Sequence, residues 1–454
     1  MREWWIPRLG LYSIEDLNRL NIVHVTGSKG KSLTCAFVSS ILQRYSGVDG
    51  KPLKIGLFTS PHLLDVRERI CMNGEPISEE KFTKYFFEVW NKVESTAEKK
   101  HPKSPRRPQY FRFLTLLSYY IFLKERVDIV IYEVGIGGER DGTNILEQPA
   151  VTGVSSLEIH HVDALGDTLE SVAAIKAGIF RKGCPAFTVE QDPEAFESLE
   201  RRADDKDVHL ATVATHPGLK DVSIKPAECF QFKNASLAIA LAEVALKKVG
   251  VSVDHVEGLP EQFIQGLETL AWRGTREVLI RDQLQWHLDV ADTKKSLMGA
   301  SSWFANIPNE NKLPRVLIFN NQAKGKGLDL PVELLKYVHH TACKLSFQYA
   351  VFCVPTRKGF DDRNPYPEGG KNLELEERLA AEWRRLDPET KVETCHLIEE
   401  AIGYVKKTSD KVGGMQILVT GSSTLVGGAI SILEAPEDTT GIVGTGPSTS
   451  VSDL

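Results

Sequence analysis

One run of eight residues, VDIVIYEV from Val127 to Val134, constrains the fold more than any other stretch of the chain. It is apolar except at Asp128 and Glu133, whereas a strand with one solvated face alternates apolar and polar residues. A run of this kind is typical of a strand that is buried on both faces. We therefore predict an α/β protein whose helices cover both sides of a parallel sheet.

Strand-like runs alternate with helical patterns over residues 1–271. NIVHV is followed by a Gly-rich turn and then by LTCAFVSSILQRY, whose apolar residues recur at helical spacing. AVTGVSSL and PAFTV are further strand candidates, and LESVAAIKAGIF between them has a helical pattern. Because this alternation is typical of crossover helices between parallel strands, we predict an N-terminal domain of this type over residues 1–271.

A second set of strand candidates follows Trp272. They are REVLI, QWHLDV, RVLIFN, YAVFCV, KVETC and MQILVTG. Helical stretches such as LPVELLKYVHH separate them, which predicts a C-terminal Rossmann-like α/β domain over residues 276–435. Residues 436–454 are rich in Gly, Ser and Thr, and we predict that they are a disordered tail.

Charge and composition restrict the classes of partner. The 454-residue chain has a net charge of −6, which gives no bulk attraction for nucleic acid. No apolar run is long enough to span a bilayer, and the first residues have no signal-peptide core or transit pattern. Seven scattered cysteines without a CxxC pair are typical of reduced thiols. We expect a cytoplasmic monomer that acts on small molecules.

The stretch HVTGSKGKSLTC, from His24 to Cys35, has the composition of a phosphate-binding loop. Between a predicted strand and a predicted helix lie Gly27, Ser28, Lys29, Gly30, Lys31 and Ser32. The backbone N–H groups at a helix N-terminus attract anions, Lys31 adds a positive charge, and Ser32 could reach Mg²⁺. We interpret the stretch as a nucleotide site; the alternative is a Gly-rich turn with an exposed lysine.

Two further places offer metal ligands. Glu133 lies near the carboxyl end of the buried strand, where α/β sheets bind ligands, and a carboxylate there is costly without a partner. We therefore favour a Mg²⁺ ligand over a structural role for Glu133. His160, His161 and Asp163 follow the strand AVTGVSSL. This pair of histidines could supply a metal ligand or belong to a polar surface turn, and the residues alone do not decide between the two.

Longer motifs carry a resemblance to a known family. They are LFTSPHLLDVRERICMNGEPIS, YFRFLT, EVGIGG with DGTN, AGIFRKGCPAFTV and LVTGSSTLVGG. In this order they resemble the folylpolyglutamate synthases of the Mur-ligase superfamily, over nearly the whole chain. The resemblance implies two α/β domains, the cofactors ATP and Mg²⁺, and ligation of L-glutamate to the γ-carboxyl of a folate's glutamate tail. The folate carboxylate would first be phosphorylated to an acyl phosphate.

The resemblance also implies roles for single residues. The catalytic positions are Lys31, Lys176 and Asp289, the magnesium positions are Ser60, Glu133 and His161, and further nucleotide positions are Asn234, Arg276 and Asp289. Lys176 corresponds to a lysine that is carbamylated in many members. Its alternative is a solvated lysine on a helix.

Four departures from the family pattern lie at the implied nucleotide and metal positions. Ser32-Leu33 replaces Gly-Ser, His160 replaces Asp, Asp292 replaces His, and Thr275 stands in a linker whose arginine is displaced. An aspartate near ATP phosphates repels them where a histidine could donate a hydrogen bond. The departures leave two alternatives open: a diverged paralogue that ligates another acid and amine in specialised metabolism, or a weak or inactive relative that binds ATP or folate.

Overall fold

The computed structural model describes residues 5–10, 15–97, 105–225, 229–253, 258–322, 329–341, 346–357 and 373–435. The chain divides into two compact units, Met1–Arg273 and Gly274–Leu454. Each unit has its own sheet, of eight strands in the first and six in the second. The tail predicted over residues 436–454 lies outside the described residues.

The first unit is built on a mixed sheet whose strand order is β4-β3-β2-β5-β1-β6-β7-β8. The strands are β1 (Val23–Thr26), β2 (Ile55–Phe58), β3 (Ile70–Met72), β4 (Glu75–Pro76), β5 (Ile129–Glu133), β6 (Val151–Val154), β7 (Ala186–Val189) and β8 (Leu210–Val213). From β2 to β8 all neighbours are parallel, with β1 and β5 at the centre. The prediction of buried parallel strands is confirmed.

Helices cover both faces of this sheet. They are α1 (Glu15–Asn18), α2 (Lys31–Leu42), α3 (Glu79–Ser95), α4 (Tyr110–Lys124), α5 (Val162–Leu165), α6 (Leu169–Lys176), α7 (Pro193–Asp204), α8 (Cys229–Lys248) and α9 (Glu261–Glu268). In β5, Ile129 and Ile131 join the core formed with α2, α8 and α9, whereas Val130 and Tyr132 join the core formed with α3 and α4. Both sides of the strand are therefore packed, which explains its nearly unbroken apolar sequence.

One edge of the first sheet departs from the prediction of a parallel sheet. Strands β3 and β4 are antiparallel, and β3 pairs antiparallel with β2. The β3–β4 turn is Asn73-Gly74, with φ of 51° and 86°. Positive φ at both central residues is the requirement of a tight hairpin turn, and Asn-Gly is the pair that adopts it most readily.

The second unit has the strand order β13-β12-β11-β14-β10-β9, parallel except for β9. Its strands are β9 (Glu277–Arg281), β10 (Leu284–Asp289), β11 (Arg315–Phe319), β12 (Tyr349–Cys353), β13 (Lys391–Cys395) and β14 (Met415–Thr420). All six agree with the predicted runs. Its helices are α10 (Lys294–Ala305), α11 (Leu330–Thr341), α12 (Glu374–Leu386), α13 (Ile398–Val412) and α14 (Ser423–Glu434).

The two units confirm the predicted α/β class. Within the described ranges, no helix combines the length and the apolar sequence needed to cross a bilayer. The five cysteines whose side chains are described are buried free thiols, namely Cys35, Cys71, Cys184, Cys353 and Cys395. This agrees with the expectation of reduced thiols at these five positions.

Candidate nucleotide and metal site

The phosphate loop ends in a helix N-terminus that is open to an anion. Gly30 is the N-cap of α2, with φ of 86° and no side chain that caps the helix. The first hydrogen bond of the helix runs from the N–H of Thr34 to the carbonyl of Gly30 at 2.8 Å. The N–H groups of residues 31–33 therefore have no partner inside α2, and together with the helix dipole they form an anion cradle.

Two glycines let other parts of the unit approach this loop closely. A Cβ at Gly27 would lie 1.9 Å from the Ser155 hydroxyl oxygen, and a Cβ at Gly30 would lie 2.2 Å from Oδ1 of Asn234. The N–H groups of Ser28 and Lys29 donate to the carbonyl of residue 156, at 2.9 and 3.1 Å. The segment after β6 thus holds the loop in place before any ligand binds.

Glu133 joins the phosphate loop to the loop after β2. Its side chain is 1% exposed, and its carboxylate accepts from the Ser32 hydroxyl at 2.9 Å and from the Ser60 N–H at 3.1 Å. Burial raises the pKa of Glu133, while the positive charge of Lys31 and these hydrogen bonds oppose that rise. A buried carboxylate beside a serine hydroxyl, with the residue Ser60 next to it, offers the hard oxygen donors that Mg²⁺ binds. The side chains of Glu133, Ser32 and Ser60 therefore fit this ion.

Lys176 is not a solvated helix lysine. It is 3% exposed, and its Nζ donates to the carbonyl of Gly27 at 2.8 Å. Burial, helped by the nearby charge of Lys31 and partly offset by Asp141, lowers the pKa of Lys176 to about 7. The last turn of α6 thus places an amine that is partly neutral near pH 7 directly beneath the phosphate loop.

His161 lies at the beginning of α5 with φ of 53°. Its side chain is exposed, and its ring centroid is 3.9 Å from that of His160. Nowhere in the described ranges do three His, Cys, Asp or Glu side chains gather in a group that could hold a metal ion. Hydroxyls, water and phosphate oxygens would therefore have to supply most of the ligands of Mg²⁺ at Glu133, as they commonly do in nucleotide sites.

The second Gly-rich loop, after β5, is held by an aspartate that the sequence did not single out. Asp141 accepts from the N–H of Ile136 at 3.1 Å and from the N–H of Thr143 at 2.9 Å. Thr143 in turn lies 2.9 Å from Nε2 of His24 on β1, and burial lowers the pKa of His24 to about 3. A neutral imidazole thus links this loop to the central strand.

The first two turns of α8 contribute two buried amides. Asn234, predicted to face the nucleotide, is 2% exposed and lies against Gly30. Its Nδ2 donates to Oε1 of Gln231 at 2.9 Å. Gln231 was missed from the sequence, although its place three residues before Asn234 puts both on one face of a helix.

Asp289 and Arg276 meet in the second unit. Asp289 ends β10 and is 8% exposed, and its Oδ1 accepts from the N–H of Arg276 at 3.1 Å. Arg276 has φ of 46°, and its guanidinium stands 5.9 Å from the ring centroid of Trp303 on α10. Its Nη2 lies 3.5 Å from the carbonyl of Gly299. The bond from its N–H to Asp289 holds Arg276 in this unfavourable backbone conformation. Such strain is common at functional sites.

Asp292 lies in the loop between β10 and α10. Its side chain is exposed, while its carbonyl accepts from Nδ2 of Asn321 at 3.4 Å. The same Nδ2 donates to the carbonyl of Gly421 at 3.0 Å. Asn321 thereby connects the loops that follow β10, β11 and β14, at the carboxyl edge of the sheet, where α/β proteins bind ligands.

An anion cradle at α2, a carboxylate joined to it by Ser32 and a lysine beneath it define an α/β protein with a phosphate-binding loop that suits a nucleotide. Comparison with known proteins narrows this class. No family model matches the chain. It is 45% identical over 445 residues to the folylpolyglutamate synthase of Neurospora crassa, covering 95% of this chain and 84% of that protein. It is 40% identical over 448 residues to that of Saccharomyces cerevisiae, covering 95% and 80%. The chain belongs to the folylpolyglutamate synthase family.

Solved structures share the fold. The apo form of L. casei FPGS superposes with a TM-score of 0.71 at 20% identity, covering 94% of this chain and 93% of that one. Mycobacterium tuberculosis folylpolyglutamate synthase complexed with ADP superposes with a TM-score of 0.73 at 20% identity, covering 95% and 93%. At this identity the structures establish the two-domain α/β fold.

Proposed function

We propose that this chain is an ATP-dependent ligase that adds L-glutamate to the γ-carboxyl of the glutamate tail of (tetrahydro)folates. The observation that carries the proposal is its 45% identity, over 95% of its length, to a protein named folylpolyglutamate synthase. The geometry at α2 supports the nucleotide part of the reaction. Among the solved relatives, one complex is described as holding AMPPCP and folate, and this motivates the choice of folate as the acid.

The chemistry requires activation of an unreactive carboxylate. Transfer of the γ-phosphoryl group of ATP to the folate carboxylate gives an acyl phosphate and releases ADP. Attack by the amine nitrogen of glutamate on the acyl carbon then forms the amide bond and releases phosphate and a proton. Lys31 and the N–H groups at the start of α2 would hold the phosphates. Glu133, with Ser60 and Ser32, would hold Mg²⁺, and the ion would neutralise charge on the transferred phosphoryl group. We assign His161 as a further ligand on the resemblance alone.

The other proposed site residues would complete the nucleotide site. Asn234 and the backbone of Gly27, Ser28, Lys29 and Gly30 would contact the nucleotide on the first unit. Asp289 and Arg276 would do so on the second unit. Lys176 would act as a carbamate near the metal. We further propose a cytoplasmic monomer that binds neither nucleic acid nor membrane.

A second candidate function is supported by Asp292, which is exposed where the family pattern has a histidine. A carboxylate there disfavours anionic substrates nearby and favours a cationic group. The same ligase chemistry would then serve a different acid or amine. Under a third reading, the site binds ATP or folate with little turnover.

Release of ADP by purified protein tests these candidates. With Mg·ATP, tetrahydrofolate and glutamate, the wild type is expected to release ADP and to lengthen the folate by one glutamate, seen by mass spectrometry. The Lys31→Ala and Glu133→Gln variants are the controls. Turnover no higher than that of Lys31→Ala contradicts the folate ligase. Turnover with another acid and amine then supports the second candidate.

A further inference from the structure

A short segment after β6, residues 155–157, is bound to the phosphate loop by three hydrogen bonds, and we call it the strap. The carbonyl of Ser156 accepts from the N–H groups of Ser28 and Lys29, at 2.9 and 3.1 Å. The hydroxyl of Ser155 donates to the carbonyl of Lys29 at 2.7 Å. The shape of the phosphate loop therefore depends on where the strap lies.

The side chain of Gln191, two residues after the end of β7, holds the strap on its other side. Its Oε1 accepts from the N–H of Leu157 at 3.0 Å, and its Nε2 donates to the carbonyl of Ser155 at 3.0 Å. These two backbone groups flank residue 156, whose carbonyl receives the phosphate loop. One side-chain amide thus fixes the strap immediately before and immediately after its contact with the loop.

Gln191 takes the place of a strand residue at a point where the strands have already ended. The last paired residues of β6 and β7 are Val154 and Thr188. In a parallel ladder, one residue accepts from the N–H after its neighbour and donates to the carbonyl before it, and Gln191 makes these same two bonds around residue 156. The Thr188 hydroxyl, which donates to the carbonyl of Val189 at 3.0 Å, accepts from Nε2 of Gln191 at 3.0 Å and so fixes the orientation of the amide.

Removal of this amide would leave backbone groups of the strap without partners. Ser155 and Leu157 are buried, and buried peptide groups that lack hydrogen bonds are costly, so the strap would have to move. Movement of the strap displaces the carbonyl that accepts from Ser28 and Lys29. A set of backbone N–H groups binds an anion well only when the groups converge on it, so a displaced loop binds phosphate more weakly.

We propose that Gln191 is a positioning residue for phosphate binding, which acts through the strap to hold the phosphate loop in its binding conformation. The proposal rests on the proposed function, because that function supplies the nucleotide whose phosphates the loop receives. It gives Gln191 a role in the geometry of the site and none in contact with the ligand.

Calorimetric titration of the full chain with Mg·ATP and with magnesium tripolyphosphate tests this role. Gln191→Met keeps the length of the side chain and removes its donor and acceptor, so we expect the Kd of ATP to rise about five- to tenfold. Because the loop receives phosphates, the Kd of tripolyphosphate should rise by the same factor. Gln191→Glu keeps the acceptor for Leu157 but turns a carboxylate oxygen towards the carbonyl of Ser155, and it should not restore binding.

Hydrogen exchange provides a readout that needs no ligand. In Gln191→Met, mass spectrometry should show faster amide exchange in peptides that contain Ser28 and Lys29, because their bonds to the strap are weakened. Gln43→Met is the matched control. The Gln43 amide, at the far end of α2, donates to the carbonyl and the hydroxyl of Ser39 at 3.0 and 3.1 Å. This variant should keep the wild-type Kd of both ligands and the wild-type exchange of the loop, and urea unfolding compares the stability of the two variants.

A double variant tests whether the effect passes through the strap. Ser155→Ala removes the hydroxyl that donates to the carbonyl of Lys29. If Gln191 acts through the same segment, Gln191→Met should raise the Kd of tripolyphosphate less in the Ser155→Ala background than in the wild type. Additive effects of the two substitutions contradict the proposed route.

Other outcomes would also overturn the assignment. They are a wild-type Kd of both ligands in Gln191→Met, a loss for ATP with none for tripolyphosphate, an equal loss in Gln43→Met, and unchanged exchange of the loop. A wild type that binds neither ligand overturns both this inference and the proposed function. Phosphate binding that depends on Gln191 without any ligase turnover overturns only the proposed function.

Discussion

Lys176 on α6 donates its Nζ hydrogen to the carbonyl of Gly27 at 2.8 Å, which ties a helix amine to the first glycine of the phosphate loop. The cost of burying this amine explains its altered protonation, because burial disfavours the charged form and Lys31 adds repulsion. Lys31 thus remains available for phosphate, while Lys176 is biased towards the neutral, nucleophilic form.

We predict that Lys176 is carbamylated at mildly alkaline pH. A neutral amine adds CO₂ and releases a proton, whereas the ammonium form cannot. Because the pKa of Lys176 is about 7, its neutral fraction increases as the pH rises through 7. In ¹³C-bicarbonate at pH 8, the wild type should show a carbamate carbon signal that Lys176→Met lacks. A wild type without that signal rules the modification out.

The same pKa predicts how stability depends on pH. The unfolded state has a lysine pKa of 10.5 and the folded state one of about 7. Between these values the unfolded chain binds more protons, so the free energy of unfolding should increase with pH, by at most about 1.4 kcal/mol per unit from this group. Urea unfolding in CO₂-free buffer should show that Lys176→Met loses this increase from pH 7 to 10. If the free energy of unfolding changes with pH in the same way in the wild type and in Lys176→Met, the prediction is wrong.

Ser32, which replaces a glycine of the family pattern, should lower the pKa of Glu133. Its hydroxyl donates to the carboxylate at 2.9 Å and holds the pKa of Glu133 lower than burial alone would. Ser32→Ala removes this bond, so the acidic limb of the rate profile should move to higher pH by about half a unit to one unit. Kinetics over pH 5–8 measure the shift. An unmoved limb shows that Glu133 is not the group that limits activity at low pH.

The core strands were predictable because a strand buried on both faces has an almost unbroken apolar sequence. That pattern is local, so it can be identified without knowing which strands lie beside it. The β3–β4 hairpin was missed, although Asn73-Gly74 is a strong local turn signal. The long-range contacts were beyond sequence reasoning. Gln231 faces Asn234 through helical spacing, but only the packing of α2 on α8 brings the pair to Gly30. The burial of Lys176 likewise depends on tertiary structure.

Gly30 should be required for its lack of a side chain more than for its backbone conformation. Gly30 and Gly183 both have positive φ, 86° and 74°, but a Cβ would clash with Asn234 only at Gly30 and has open space at Gly183. Gly183→Ala should lose about 1 kcal/mol of stability in urea unfolding and bind ATP normally. Gly30→Ala should lose more and should bind neither ATP nor tripolyphosphate. Equal losses in both variants contradict the close-approach argument.

Asp292 should limit turnover if the chain acts on folate. The resemblance places a histidine here, near the nucleotide, and a histidine can donate a hydrogen bond where the exposed carboxylate of Asp292 repels phosphate. A well-placed donor to a developing anion contributes on the order of a hundredfold in rate. Asp292→His should therefore increase ADP release with tetrahydrofolate and glutamate by about ten- to a hundredfold. Asp292→Asn, which removes only the charge, should give a smaller gain. If Asp292→His is no faster than the wild type on folate, the aspartate belongs to a site retuned for another substrate, and a loss of turnover on that substrate in the same variant would identify it.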